Sequence, residues 1–136
     1  AFGRADLRLA PASPGKARRL APFLAARRGT LYLNRAEAAA LCGTAFGDAQ
    51  TAAAALIRAG VPRAIVTDGA RACCDATGAD CVTAVPPRVA VARVTGAGDT
   101  FLAAHVAAER RGADRPAALA AALASAAAHV TGALPA

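Results

Sequence analysis

The residues best placed to do chemistry lie in Val94-Thr95-Gly96-Ala97-Gly98-Asp99-Thr100-Phe101. Small residues at 96–98 let a ligand come close to the backbone. If a helix opens there, its free N–H groups and positive end form a cradle for phosphate. Asp99 then falls in the first helical turn, where the helix end favours the ionised carboxylate. An ionised Asp beside a phosphate cradle can take the proton of an attacking hydroxyl while the loop stabilises the transferring phosphoryl group. Two other readings of the segment exist. One is a plain glycine turn capped by Asp99. The other is part of a dinucleotide fingerprint, of which Gly96-x-Gly98 would be a fragment, although Phe101 stands at the third glycine position. A P-loop is excluded, because no GxxxxGK[ST] occurs.

Two earlier stretches also stand out. Asn34-Arg35-Ala36-Glu37 has the form of a helix cap with Glu at the third helical position, a capping-box variant. Val66-Thr67-Asp68-Gly69-Ala70 reads as a strand ending in a turn. The elements that must position them follow from periodicity. Strands are expected at 5–9, 30–33, 64–67 and 89–91, with a weaker strand or hairpin over 70–85. Helices are expected at 17–28, 35–42, 48–59, 99–111 and 116–130, with Ser13-Pro14 opening the first and Gly29 closing it. Helices alternating with single short strands give an α/β class with a largely parallel sheet.

Composition narrows the field. The chain has 136 residues and is 56% hydrophobic, which fits one packed domain and argues against disorder. Lys and Arg outnumber Asp and Glu by 16 to 9, for a net charge of +7. The arginines are scattered rather than clustered, and four Phe, one Tyr and no Trp give little for stacking on bases. No nucleic-acid partner is expected, whereas an anionic nucleotide suits the balance. No apolar run reaches the length of a membrane span, so no membrane partner is expected and a cytoplasmic setting is. Cys42, Cys73, Cys74 and Cys81 show neither a CxxC pair nor zinc spacing, and read as thiols of a reducing compartment. His105 and His129 read as secondary, the latter as exposed.

Taken in order, the three stretches resemble the signatures of the PfkB (ribokinase-like) carbohydrate and nucleoside kinases, and the match extends over essentially the whole chain. The resemblance implies a three-layer α/β ribokinase-like fold, here over residues 1–136 as one C-terminal portion without the N-terminal sugar-binding half and lid. Members of the family run to roughly twice this length. It implies Asp99 as catalytic base, with Gly96, Ala97 and Gly98 as the anion hole. Asn34 and Glu37 would organise Mg²⁺, mostly through water, in keeping with that ion's oxygen preference and reluctance to shed its waters. Thr67, Gly69, Thr95 and Ser125 would border the ATP, Ser125 through the helix that also carries Ala122 and Ala126.

The implied reaction moves the γ-phosphate of ATP to a hydroxyl of a sugar or nucleoside. Ala12-Ser13-Pro14-Gly15-Lys16 looks like the Ser-x-x-Lys segment of pseudouridine kinases. A homodimer is common in the family. There are also departures. Arg93 replaces an Asp or Asn, which puts monovalent-cation activation in question, and Ala72 and Ala104 replace glycines. A kinase fragment that binds nucleotide without turnover is the alternative.

Overall fold

The computed structural model describes residues 7–11, 14–22, 29–89 and 96–131. Strand β1 is Arg8–Leu9, β2 Thr30–Asn34, β3 Arg63–Thr67, β4 Cys73–Thr77 and β5 Cys81–Ala84. Helix α1 is Pro14–Ala17, continued by a 3₁₀ turn at Arg18–Leu20. The others are α2 (Arg35–Cys42), α3 (Ala49–Arg58), α4 (Ala97–Arg110) and α5 (Arg115–Val130).

Alternation in the strands makes the sheet bury both faces. Leu31, Leu33, Ala64, Val66, Cys74 and Ala76 face one core, closed by Ala38 of α2 and by Ala49, Ala52, Ala53 and Leu56 of α3. Tyr32, Ile65 and Cys73 face the other, closed by Phe101 of α4 and by Leu119, Ala122 and Leu123 of α5. The result is the expected three-layer α/β arrangement. The sheet order is β1-β2-β3-β4-β5, with β1, β2 and β3 parallel and β4 and β5 returning antiparallel. The weak 70–85 signal is therefore a hairpin.

Capping sets the helix starts. Asp48 accepts from the Thr51 N–H at 2.7 Å, and Asp114 accepts from the Ala117 N–H at 2.9 Å with Pro116 in the first turn. Gly29 is required by a close approach. Its φ is +81°, and a Cβ there would stand 2.6 Å from the Leu7 carbonyl oxygen. That carbonyl accepts the Thr30 N–H at 2.8 Å, so the strand cannot simply move away.

Several expectations need correction. The first helix does not run straight from 17, but tightens to 3₁₀ at Arg18–Leu20, and residues 23–28 lie outside the described residues. Val89 is not in a strand, and the rest of the 89–91 strand also lies outside them. Cys74 and Cys81 are joined as a disulfide rather than held as thiols. They are diagonal neighbours on one face of the β4–β5 ladder, where Ala76 opposes Cys81, with Cα atoms 6.5 Å apart. Cys42 and Cys73 are free, and burial pushes the Cys73 thiol up to about 12.

The sequence also gave no warning of an ion cluster under α4 and α5. Asp75, fully buried on β4, receives Arg63 at 2.7 and 3.0 Å and Arg115 at 3.2 Å. Arg63 also grips Glu109 of α4, which pairs with Arg8 of β1. Burial pushes Asp75 upward, but the two guanidinium groups outweigh it and hold the carboxyl below its usual range. His105 is fully buried beside this cluster. Its Nδ1 lies 2.8 Å from the Tyr32 hydroxyl, and burial lowers its pKa, so it packs as a neutral ring.

Candidate functional site

Asn34 and Thr67 are register partners at the carboxyl ends of the parallel strands β2 and β3. That edge is where open α/β sheets bind ligands. Asn34 leads directly into α2 and caps it. Its Oδ1 accepts the Glu37 N–H at 2.7 Å, and Glu37 Oε1 accepts the Asn34 N–H at 2.9 Å. The capping box is thus fully formed and uses one oxygen of each side chain. Glu37 Oε2 makes no hydrogen bond to a described residue. Glu37 is buried, and its pKa is raised first by that burial and further by the charge of Asp99, against the lowering effect of the Asn34 N–H.

The charge of Asp99 on the second motif is thus felt at Glu37. Asp99 is exposed in the first turn of α4, and Gly96 is the N-cap in a left-handed conformation with φ +88°. A Cβ on Gly96 would meet the His129 ring, 3.0 Å from Nε2 and 3.3 Å from Cε1. His129 of α5 is therefore half-buried against the loop, not exposed as the sequence implied. Gly98 differs. Its φ is ordinary for a helix, and nothing lies within 4 Å of where a Cβ would stand. No packing contact in the described chain requires glycine there, and the space faces the outer surface of the first helical turn.

Thr67 ends β3, and Gly69 follows at φ +60° in a turn closed by the Arg71 N–H on the Asp68 carbonyl at 3.0 Å. Ser125 is half-buried on α5, and no hydrogen bond ties it to the other candidates among the described residues. Its neighbours Ala122 and Ala126 pack in the core, so close helix packing accounts for them. Thr95 and Arg93 lie outside the described residues, as does Ser13. Sequence reasoning missed Asp68 and Arg35. Arg35 Nε donates to Asp68 Oδ1 at 2.8 Å, and Arg35 Nη1 donates to the Phe46 carbonyl at 3.0 Å. Their place directly after Asn34 and Thr67 was the available signal.

Among the described residues no group of three or more His, Cys, Asp or Glu side chains could hold a metal ion. Of the two residues expected to serve Mg²⁺, Asn34 has its side-chain oxygen engaged in the cap and Glu37 keeps Oε2 outside it, so an ion held by them would retain most of its waters. No helix among the described residues is long and apolar enough to cross a membrane.

The three-layer α/β fold is the one that the ribokinase-like kinases among solved structures share. The PfkB family model, described as pfkB family carbohydrate kinase, matches residues 6–135, and the chain belongs to that family. Among solved structures, a carbohydrate kinase from Agrobacterium tumefaciens is 32% identical with a TM-score of 0.72, over 90% of this chain and 38% of that one. Ribokinase from Thermotoga maritima is 23% identical with a TM-score of 0.73, over 94% and 43%. An Escherichia coli protein solved in complex with ATP and Mg²⁺ is 25% identical with a TM-score of 0.69, over 87% and 37%. The chain thus spans about two-fifths of the length of these relatives. Comparison with curated proteins gives no significant match. Family membership replaces the dinucleotide-binding alternative. The buried Phe101, packed edge-on to Tyr32 at 6.5 Å, fills the place where that fingerprint needs a glycine for close helix–strand contact.

Proposed function

We propose that this chain is the nucleotide-handling, C-terminal part of a kinase that transfers the γ-phosphate of ATP to a hydroxyl of a sugar or nucleoside. Asp99 is the base that takes the hydroxyl proton. The N–H groups of Gly96, Ala97 and Gly98, with the positive end of α4, hold the charge that develops on the phosphoryl oxygens. Thr67, Gly69, Thr95 and Ser125 border the nucleotide. Asn34 and Glu37 orient the waters of Mg²⁺, which when bound supplies charge neutralisation on the phosphates. A monovalent cation and a homodimer are compatible with this reading.

The observation that carries the proposal is the family match over residues 6–135, with Asn34 and Thr67 at the carboxyl ends of β2 and β3 and Asp99 in the first turn of α4. The charge of Asp99 adds to the burial that raises the pKa of Glu37, so a cation near them would be favoured. The open space at Gly98, which no core contact explains, adds a place for a phosphate to approach the backbone. The relative solved with ATP and Mg²⁺ supports the choice of nucleotide and ion. The acceptor site is assigned to the preceding part of a longer polypeptide, consistent with the two-fifths coverage.

The test is Asp99→Asn in that longer polypeptide. Turnover should fall by roughly 10²–10⁴-fold, the range for loss of a general base, with the affinity for nucleotide little changed. Near-normal turnover would remove Asp99 from the role.

A further inference from the structure

Asp68 is the least explained polar residue near the site. Its side chain is 8% exposed. Oδ1 is held by Arg35 Nε at 2.8 Å, but Oδ2 is buried with no hydrogen-bond partner among the described residues. Arg71 Nη1 stands 3.3 Å from Oδ2 without the alignment of a hydrogen bond, and the Arg71 side chain is 60% exposed. Arg35 also donates to the Phe46 carbonyl at 3.0 Å, in the loop between α2 and α3. The Arg35 guanidinium therefore ties three places together: the start of α2, the end of β3 and the α2–α3 loop.

Other contacts already hold these elements. Strands β2 and β3 already share five paired positions, from Thr30↔Arg63 to Asn34↔Thr67. Helix α2 has its own complete capping box at one end and a left-handed Gly43 cap at the other. What the pair adds is local. It joins the residue after Asn34 to the residue after Thr67, at the edge where the candidate site lies. It also fixes the charge there. Glu37 and Asp99 are acidic, and Asp68 offsets the charge of Arg35 while also facing the exposed Arg71.

We propose that Arg35 and Asp68 are a positioning pair that sets the preference of the site for Mg·ATP over metal-free ATP, an inference that rests on the nucleotide reading above. Without Asp68, Arg35 becomes an uncompensated cation beside the site. It then attracts the more highly charged metal-free ATP and repels the metal. Without Arg35, Asp68 keeps only the exposed Arg71, and the edge becomes more negative by one unit, with the opposite effect. The two single variants should therefore move the preference in opposite directions. A pair that only braces the fold would move both the same way, or not at all.

The experiment is calorimetric titration of the wild-type chain, Asp68→Asn and Arg35→Gln, with ATP plus MgCl₂ and with ATP plus EDTA, at low ionic strength. The ratio of the two affinities should shift by roughly three- to tenfold, toward metal-free ATP in Asp68→Asn and toward Mg·ATP in Arg35→Gln, the scale of one unit charge acting on two ligands that differ by two charges. Shifts of the same sign, or an unchanged ratio accompanied only by a lower melting temperature, would overturn the proposal. If the wild-type chain binds neither form, the nucleotide reading fails first, and amide hydrogen exchange then decides the positioning claim. Asp68→Asn should raise exchange together at the Glu37 amide and the Gly69–Arg71 amides, whereas unchanged exchange would refute the coupling.

Discussion

Replacing Gly98 by alanine separates what the fold needs from what a ligand needs. Gly98 sits at the second position of α4 with ordinary helical backbone and open space at the Cβ position. Alanine there should stabilise the chain by about 0.5 kcal/mol, the low end of the Gly-to-Ala difference in helices. Its methyl group should nonetheless fill the space in which a phosphate reaches the backbone. Gly96, two residues earlier, gives the contrast. At φ +88°, with the His129 Nε2 3.0 Å from a Cβ, alanine meets both backbone strain and a ring that must move. The left-handed conformation alone costs about 1–2 kcal/mol for a residue with a Cβ. A change of 1 kcal/mol shifts the melting temperature of a domain of this size by about 3–6 °C. Thermal unfolding should therefore show Gly98→Ala melting slightly higher than wild type and Gly96→Ala several degrees lower. Titration with Mg·ATP should show that the more stable Gly98→Ala has lost affinity by about tenfold or more, as expected when a charge-assisted backbone contact is blocked. A Gly98→Ala variant that binds Mg·ATP like wild type would refute the reasoning, because the open space would then serve no ligand.

Other outcomes follow from the core. Asp75→Asn leaves Arg63 and Arg115 without their shared buried carboxylate, and should cost about 3–5 kcal/mol at neutral pH. Asp75 has a depressed pKa in the folded state, so its contribution is fully present above the unfolded value of about 3.9 and is lost as pH falls through the lower folded value. The deficit of Asp75→Asn measured by urea unfolding should therefore shrink below pH 4. Gly29→Ala forces a Cβ to within 2.6 Å of the Leu7 carbonyl oxygen and should cost about 2 kcal/mol or more, read as a lower urea midpoint. In Glu37, whose pKa is raised partly by Asp99, Asp99→Asn should lower the titration midpoint, which carboxyl-selective NMR can follow.

Much of this architecture was legible in the sequence, for reasons particular residues show. Leu31-Tyr32-Leu33 and Ala64-Ile65-Val66 are short apolar runs too brief for helices, and they form the two central parallel strands. Asn34 with Glu37 announced the start of α2 through local hydrogen bonds that need no tertiary information, and Asp48 and Asp114 cap α3 and α5 in the structure the same way. The glycine loop opened a helix two residues earlier than expected, because Gly96 rather than Gly98 takes the left-handed cap. What stayed hidden was set by contacts between distant positions. Arg63, Arg115 and Glu109 look like ordinary surface charges until the sheet and helices bring them around Asp75. The pairing of Cys74 with Cys81 depends on the register of a hairpin, which spacing alone does not give. The Arg35–Asp68 tie, likewise, depends on β2 and β3 being neighbours in parallel.

The central claim is that this chain carries an ATP site built from the start of α4 and the ends of β2 and β3. Calorimetric titration of the chain with Mg·ATP, and separately with NAD⁺, tests it most directly. The account predicts saturable binding of Mg·ATP and no binding of NAD⁺. Binding of NAD⁺, or no heat from Mg·ATP at millimolar concentration, would contradict it.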